Sequence, residues 1–225
     1  MIKKKFTAFI LCGGKGTRYN INKNKKILKP LVKINKKTIL ERIIELYSKN
    51  GIDRFVLLGG YKINTLKSFI KKKLKNYDIT ILNTGLNTET GGRLLFVKKL
   101  LSNDTFLFTY GDSLTNFNLN KALKLKKSNN IVMSYYYYDF QYGVLKKKGK
   151  ILKKIIEKNN HIPINAGFYV LDNKIFKFIK NKNDSFEKKV LPKVLKSKYK
   201  IILNRVTKWY PMDNLKDKKE MELNL

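Results

Sequence analysis

The sequence predicts an α/β fold in which helices flank a central, mostly parallel mixed sheet. Short apolar runs alternate with amphipathic helical patterns through the first half of the chain, which is typical of a parallel sheet with helices on both faces. Glycine-rich or polar turns follow these apolar runs, as they do where strands end at a ligand-binding edge. The second half carries strand-like segments without long helices between them, so we expect the complete sheet to be mixed.

The predicted order in the first half is strand, helix, strand, helix, strand. The continuous apolar run at 6–12 predicts a buried central strand. Thr38 and Glu41 fit a capping box at the start of a helix that stops at Gly51. Two further strands are predicted at 54–58 and 78–82, with a helix at 64–73 between them.

The second half is predicted to contain a helix at 91–101, a strand at 105–110, and strand-like segments at 131–138, 143–145, 152–157 and 165–171. Two further helices are expected, one from about Asn173 and one capped by Ser185, and Pro192 should disturb the second. The last predicted elements are a strand at 201–206 and a helix from about Leu215. Because no linker or repeat interrupts this pattern, we expect 1–225 to form one domain.

The charge of the chain is strongly positive. Its 50 Lys and Arg residues against 16 Asp and Glu residues give a formal net charge of +34, which is typical of proteins that bind nucleic acid. Lys, Asn, Ile, Tyr and Phe are abundant together, however, which favours a compositional bias that places lysine on solvated faces. We therefore expect nucleic acid not to be the partner, although the field should attract anionic small molecules.

Composition also bears on location. No apolar run approaches the roughly 18 residues that a membrane span requires. The basic start at 1–5 is followed by an apolar stretch too short for a signal peptide, so we expect a cytoplasmic protein without a membrane segment. Cys12 is the single cysteine, which excludes a disulfide framework and a cysteine-based metal site.

The glycine-rich turn at 11–18 is the first candidate site. Glycines allow backbone N–H groups to approach phosphate oxygens, and they adopt positive φ angles at little cost. Arg18 and Lys29 would bring positive charge to the same place. Tyr19 stands where a dinucleotide fingerprint has its third glycine, and the Gly-Lys-Ser/Thr of a P-loop is absent, so the turn matches neither motif.

Two aspartates are candidates for a metal site. Asp112 follows a glycine at the end of an apolar strand, from which a carboxylate can reach a hard metal ion bound by phosphates. A helix N-cap or a turn aspartate is an equally good local interpretation of Asp112. Asp213 follows Pro211 and two aromatic residues, and by itself would be interpreted as a turn residue.

Taken together, five segments resemble the sugar nucleotidyltransferases, also called nucleotide-sugar pyrophosphorylases, and most strongly the glucose-1-phosphate cytidylyltransferases. The segments are 13–18 with 29–34, 84–94, 109–112, 165–168 and 211–213. Their order and approximate spacing match the family over nearly the whole chain. The segment at 84–94 is the one that resembles the cytidylyl members.

This resemblance implies a Rossmann-like, glycosyltransferase-A-type nucleotidyltransferase fold and a Mg²⁺-dependent reaction. A nucleotidyl group, CMP from CTP in the favoured case, would pass to a sugar 1-phosphate, glucose 1-phosphate in the favoured case, with release of pyrophosphate. The alternatives are GTP, UTP or dTTP as donor and a mannose or heptose phosphate as acceptor. A basic protein that binds nucleic acid or acidic partners without catalysis is an alternative of another class. A homo-oligomer is a further expectation.

The resemblance also implies roles for individual residues. Nucleotide-binding roles fall on Leu11, Gly13, Gly14, Gly16, Thr17, Arg18, Lys29, Thr90, Gly92, Arg93 and Gly111. Sugar-binding roles fall on Glu157, Lys158, Asn165 and Gly167. Catalytic roles fall on Arg18, Lys29, Asp112 and Lys158, and Asp112 and Asp213 would hold the metal ion.

Overall fold

The computed structural model describes residues 6–20, 26–101, 104–140, 142–157 and 160–225, without the side chains of Arg18, Asn20 and Asn160. Its strands are β1 Thr7–Leu11, β2 Lys33–Ile34, β3 Lys37–Thr38, β4 Arg54–Gly59, β5 Asp78–Asn83, β6 Thr105–Tyr110, β7 Ser113–Thr115, β8 Asn130–Phe140, β9 Val144–Lys148, β10 Ile151–Ile156, β11 Asn160–Asp172, β12 Lys200–Arg205 and β13 Trp209–Pro211. Its α-helices are α1 Thr17–Asn20, α2 Ile39–Lys49, α3 Ile63–Lys73, α4 Leu119–Leu125, α5 Leu191–Leu195 and α6 Leu215–Asn224. Among the described residues, no helix is long and apolar enough to cross a membrane.

The central sheet has seven strands in the order β12, β8, β11, β6, β1, β4, β5. Strand β1 lies between its parallel neighbours β4 and β6, and β5 is parallel to β4. Strand β11 runs antiparallel to both β6 and β8, whereas β12 is parallel to β8. The prediction of a mostly parallel, mixed sheet is therefore confirmed, with the central strand at the predicted position.

The core lies on both faces of this sheet. Ala8 and Ile10 of β1 pack in a cluster that also contains the apolar face of α2. Phe9, between them, points into a second cluster that includes Leu94 and Phe108. Successive side chains of a strand point to opposite faces, so β1 is buried on both sides, as its unbroken apolar run predicts.

Helix α2 begins with the predicted capping box. The Thr38 hydroxyl accepts a hydrogen bond from the Glu41 backbone N–H at 3.2 Å, and the Glu41 carboxylate accepts one from the Thr38 backbone N–H at 2.6 Å. These bonds satisfy N–H groups that the first helical turn leaves without partners. The helix ends at Lys49, two residues before Gly51 with its φ of 83°.

The helix predicted at 91–101 is confirmed, and it is a 3₁₀-helix over Gly92–Leu100. Glycines disfavour a regular α-helix, and here the first turn is bound to another loop, because the Gly92 N–H donates to the Asp184 carbonyl at 2.9 Å. A Cβ at Gly92 would collide with the backbone of Lys182. The segment from Asn173 is likewise a 3₁₀-helix, over Asn173–Phe178.

The helix predicted after Ser185 is divided in two. The Ser185 hydroxyl accepts from the Lys188 N–H at 3.2 Å, which confirms the predicted cap. A π-helical turn at Phe186–Val190 precedes α5, and Pro192 lies in the first turn of α5. Because proline has no N–H to continue the hydrogen-bond ladder, the disturbance falls where the sequence predicts it.

Strands β8 and β11 extend beyond the edge of β6. Their outer halves pair with each other at 135–140 and 160–165, and β9 and β10 form an antiparallel hairpin between them in the chain. These strands confirm the strand-like segments predicted from the second half of the sequence. The arm formed by β8 and β11 stands beside the edge where β1, β4 and β6 end.

Candidate active site

A cavity of about 580 Å³ opens where β1 and β6 end. Ten of the residues with predicted nucleotide, metal or catalytic roles line it: Leu11, Gly13, Gly14, Gly16, Thr17, Lys29, Thr90, Arg93, Gly111 and Asp112. Gly92 does not line it, because its backbone faces Lys182 and Asp184. The side chain of Arg18 and the whole of Lys158 lie outside the described residues.

The glycine turn enters this cavity directly from β1. Gly16 has a φ of 59°, a conformation that residues with a Cβ rarely adopt. Gly14 is exposed, and a Cβ built there would meet nothing within 4 Å. Packing within the described residues therefore does not require glycine at position 14, whereas close approach of a ligand to the backbone would.

Arg93 fastens the turn to two neighbouring strand ends. Its guanidinium donates to the Gly13 carbonyl at 3.2 Å, to the Gly59 carbonyl at 3.0 Å and to the Thr84 hydroxyl. The residue is 4% exposed, and burial lowers the pKa of its guanidinium. Arg93 thus joins the turns that follow β1, β4 and β5, and three of its five N–H donors bind oxygens of the protein.

Arg93→Lys is expected to destabilise the fold. A lysine ammonium cannot reach the three oxygens that the planar guanidinium fork reaches, so buried acceptors lose their partner, at a cost of about 2–3 kcal/mol. The measurement is the free energy of unfolding in urea. A value within about 0.5 kcal/mol of the wild type, the range of neutral surface changes, would contradict this role.

Lys29 lies between the two candidate metal ligands. Its Nζ is 2.6 Å from Asp213 Oδ1 and 3.4 Å from Asp112 Oδ2, and the residue is only 6% exposed. Strand pairing brings the aspartates together, because β13 pairs with β7 and the Met212 N–H donates to the Asp112 carbonyl at 2.9 Å. The two acids are 101 positions apart in sequence yet converge on one cation.

The chemistry of this pair fits Mg²⁺. A magnesium ion in a phosphate site takes one or two protein carboxylates and completes its shell with phosphate oxygens and water. Asp112 and Asp213 supply two carboxylates, with side chains 39% and 33% exposed. The described residues contain no cluster of three His, Cys, Asp or Glu side chains, so an all-protein metal cage is not formed there.

The predicted sugar residues divide into two groups. Asn165 and Gly167 lie at the irregular part of β11 beside Tyr110, which lines the cavity. Gly167 has a φ of 79°. Glu157 instead lies against Gly143 at the outer end of the arm. At ~3.3 Å per residue, the strand from 160 to 165 alone spans about 16 Å, so Glu157 is not beside Asn165 along the arm.

Nine of the described cavity-lining residues were not among the predicted site residues, and two of these nine, Tyr110 and Glu187, contact each other. Both side chains line the cavity, and the Tyr110 hydroxyl donates a hydrogen bond to Glu187 Oε1. Tyr110 lies in the segment 109–112 that resembles the family, but the resemblance implies no role for it. Glu187 follows a cap residue, and an acid in the first turn of a helix is commonly present to favour the helix dipole, so its sequence position offered no separate signal.

Cys12 gives a further testable property of the cavity wall. The thiol is 1% exposed, and burial raises its pKa well above the ordinary value. Since the thiolate is the reactive species, we expect Ellman's reagent to react with Cys12 only after unfolding, measured as absorbance with and without denaturant. Rapid reaction of the native protein would contradict this burial.

Comparisons with known proteins point to one family. The Nucleotidyl transferase family model matches residues 7–216. The chain is 33% identical to a probable glucose-1-phosphate cytidylyltransferase of Bacillus subtilis, over 93% of this chain and 92% of that protein. It is 32% identical to a D-glycero-alpha-D-manno-heptose 1-phosphate guanylyltransferase of Campylobacter jejuni, over 80% of this chain and 82% of that protein.

The fold has solved counterparts as well. The crystal structure of HddC from Yersinia pseudotuberculosis superimposes with a TM-score of 0.78, covering 97% of this chain and 99% of that one at 24% identity. At that identity the likeness concerns the fold. The family model, by contrast, spans the glycine turn, Lys29, Asp112 and Asp213 together. The chain belongs to the nucleotidyl transferase family.

Proposed function

We propose that this nucleotidyltransferase transfers CMP from CTP to glucose 1-phosphate and releases pyrophosphate. The observation that carries the proposal is Lys29, buried between Asp112 and Asp213 at a cavity that the glycine turn also lines. A triphosphate needs positive charge and backbone donors, and a phosphate-bound metal ion needs carboxylates. This site supplies all three within one cavity.

The proposed reaction is a single in-line displacement. An oxygen of the sugar 1-phosphate attacks the α-phosphorus of the nucleoside triphosphate and forms a new phosphorus–oxygen bond. The bond between the α-phosphorus and the oxygen that leads to the β-phosphate breaks, and pyrophosphate leaves with its electron pair. Because no covalent enzyme intermediate is needed, the protein acts by positioning the reactants and neutralising charge.

The residues of the cavity would divide this work. The backbone of Gly13, Gly14 and Gly16 would approach the base and phosphates, and Lys29 would place its ammonium against the triphosphate. We propose that Arg18 and Lys158 add positive charge to the triphosphate and to the sugar phosphate, following the resemblance. Asn165 and Gly167 would face the sugar.

A magnesium ion belongs to this proposal. Asp112 and Asp213 would hold it, and the bound ion would supply charge neutralisation to the phosphates. Lys29 already holds both carboxylates in place, so their positions do not depend on the metal. We expect activity to require a divalent cation and to be abolished by a chelator.

The choice of base rests on the segment 84–94. Five consecutive residues from Leu86 to Thr90 line the cavity together with the glycine turn, and this segment carries the resemblance to cytidylyl enzymes. The Bacillus subtilis relative supports CTP and glucose 1-phosphate, whereas the Campylobacter jejuni relative supports GTP and a heptose 1-phosphate as the second candidate.

The deciding experiment measures pyrophosphate release with CTP, GTP, UTP and dTTP against a panel of hexose and heptose 1-phosphates. We expect the highest kcat/KM for CTP with glucose 1-phosphate. Turnover with GTP, UTP or dTTP alone would overturn the base, and turnover with mannose or heptose phosphate alone would overturn the sugar. Failure of every pair would overturn the proposed function.

Nucleic acid stays outside the proposal. Runs of consecutive lysines lie at exposed ends of helices and strands. Lys71, Lys72 and Lys73 in the last turn of α3 are an example, and there water can solvate their charges without a nucleic-acid partner. Steeply salt-dependent binding of RNA or DNA at physiological ionic strength, without nucleotidyl transfer, would favour the alternative of a basic binding protein. The cytoplasmic location, the single domain and the homo-oligomer stay predictions.

A further inference from the structure

We propose that Glu187 is a positioning residue for the sugar substrate. It orders a row of hydrogen bonds that runs through Tyr110 and Tyr169 to Asn165, and this order fixes which atoms of the Asn165 amide face the sugar 1-phosphate. The inference rests on the proposed function, because it assumes that Asn165 faces the sugar. It adds a residue to the site that the sequence motifs do not contain.

The row is continuous in the structure. The Tyr110 hydroxyl donates to Glu187 Oε1, and it lies 3.0 Å from the Tyr169 hydroxyl. The Asn165 Nδ2 group in turn donates to the Tyr169 hydroxyl. At the far end, Asn165 Oδ1 accepts from the Gly167 backbone N–H at 2.9 Å. Three hydrogen bonds thus separate the carboxylate from the amide.

Proton counting gives this row one direction. A carboxylate can only accept, so the single proton of Tyr110 is committed to Glu187. The Tyr110 oxygen must then accept from Tyr169, and the Tyr169 oxygen must accept from the Asn165 amide nitrogen. The Gly167 N–H, which can only donate, holds the amide oxygen on the other side. Among the described residues, one N–H of the Asn165 amide is used in this row. The second N–H is left to donate to a ligand.

Packing prevents the two phenols from turning away. Tyr169 is 0% exposed, and its ring lies 5.7 Å from that of Phe108 and 5.1 Å from that of Phe186. Burial raises the pKa of both Tyr110 and Tyr169 above the ordinary tyrosine value. Both hydroxyls therefore keep their protons through the neutral pH range, and the row keeps its donors.

The second oxygen of Glu187 is also occupied. Oε2 accepts from the Thr90 hydroxyl at 2.9 Å and from the Ser185 hydroxyl at 2.8 Å, and the Thr90 hydroxyl accepts from the Phe186 N–H at 2.8 Å. Three donors therefore converge on one side chain. An ionised carboxylate satisfies all three, whereas an amide of the same shape has a single oxygen.

This difference makes Glu187→Gln an informative substitution. Two of the three donors, Thr90 and Ser185, face one side, so the amide oxygen of the variant is expected to turn toward them. Its NH₂ group then faces Tyr110, which must accept and so donates toward Tyr169 instead. The direction of the row is reversed while the size of the side chain is kept.

The reversed direction of these hydrogen bonds also affects Asn165, at the end of the row that is proposed to face the sugar. The Tyr169 hydroxyl now donates toward Asn165, which must either lose that bond or turn its amide oxygen toward it. A turned amide presents NH₂ to the Gly167 N–H, two donors face to face, and the bond between them is lost. In either case the N–H offered to the sugar is displaced.

The test is a set of steady-state kinetic measurements on Glu187→Gln, Tyr169→Phe and the double variant. Each single variant is expected to raise the KM for the sugar 1-phosphate about tenfold, the effect of losing one oriented hydrogen bond. In Tyr169→Phe the KM for CTP should stay at the wild-type value. The double variant should be no worse than the poorer single variant, because both break the same row. Glu45→Gln changes a partly exposed acid on α2 that pairs with Lys37 outside the cavity lining; it is the matched control and should leave all constants unchanged.

Three kinetic results would overturn the proposal. The first is a wild-type KM for the sugar 1-phosphate in Glu187→Gln, and the second is independent, multiplying effects in the double variant. Equal losses for CTP and sugar in Tyr169→Phe would indicate general structural damage and also overturn it. Thermal unfolding of each variant shows whether the fold is retained, and Tyr169→Phe removes only one oxygen atom.

A second readout does not depend on turnover. The side-chain amide signal of Asn165, identified in an ¹⁵N-labelled NMR spectrum by its loss in Asn165→Asp, should shift in Glu187→Gln as strongly as in Tyr169→Phe. An unchanged signal in Glu187→Gln would overturn the row. If the wild type turned over no substrate pair, the proposed function would fail while this spectrum still decided whether Glu187 orders Asn165.

Discussion

Lys29→Met is expected to lower kcat/KM for nucleotidyl transfer by about 10²–10³-fold, the loss typical of removing one preorganised electrostatic donor. The ammonium lies 2.6 Å from Asp213 and 3.4 Å from Asp112 inside a site where the residue is 6% exposed. Methionine fills the space of the lysine stem without the charge. The triphosphate would then lose a cation, and the two carboxylates would lose the group that holds them.

A matched control separates the effect of losing the charge of Lys29 at the site from the effect of lowering the net charge of the protein. Lys71→Met removes one positive charge from the exposed surface of α3 and should leave kcat/KM unchanged. Circular dichroism and thermal unfolding check that both variants are folded. Activity of Lys29→Met within a factor of about three of the wild type, a barrier change well below 1 kcal/mol, would remove Lys29 from the triphosphate site.

Asp112→Asn and Asp213→Asn are expected to give the second large effect, a loss of kcat of about 10³-fold each at fixed Mg²⁺. The value corresponds to several kcal/mol of charge stabilisation by a bound metal ion. An asparagine amide keeps the shape of the side chain but supplies no negative charge for a divalent cation. Part of the activity should return at higher Mg²⁺ or with Mn²⁺, because the remaining aspartate still offers one carboxylate.

The control is Asp78→Asn, which changes an exposed acid at the start of β5 on the far edge of the sheet. It should have no effect on the Mg²⁺ dependence of the reaction. The two site variants need to be judged separately. Near wild-type activity of Asp213→Asn alone would remove Asp213 from the metal site and leave Asp112 as the single protein ligand.

Much of the fold follows from local patterns in the sequence. The run at 6–12 is apolar at every position because β1 is buried on both faces, and Thr38 with Glu41 marks a helix start by chemistry that is entirely local. The turns that follow parallel strands meet because all carboxyl ends of such strands lie on one edge. The place of the glycine turn and of Gly111 was therefore predictable from the pattern, whereas Thr90 and Arg93 were assigned through the family resemblance, and all of them line one cavity.

Other features depend on contacts that local patterns do not contain. Arg93 looks like a ligand-facing cation in sequence, but its partners Gly13 and Gly59 lie 80 and 34 positions away. Glu187 likewise meets Tyr110 across 77 positions. The helix type at Gly92–Leu100 is decided by a loop that packs against it from Asp184. In each case the tertiary partner, rather than the residue's own neighbours, sets its conformation and role.

Strand β11 runs antiparallel to β6, and this has a consequence for how the substrate specificity of such a protein can change. The glycine turn and Gly111, which are proposed to bind the nucleotide, lie downstream of β1 and β6, whereas Asn165 and Gly167, which are proposed to face the sugar, lie upstream of the stretch of β11 that pairs with β6. The connection from β8, with its hairpin of β9 and β10, therefore leads into the acceptor side. Insertions or exchanges in that connection can alter which acceptor fits while the glycine turn keeps its frame. The donor half and the acceptor half of the site are thus open to separate evolution and separate engineering.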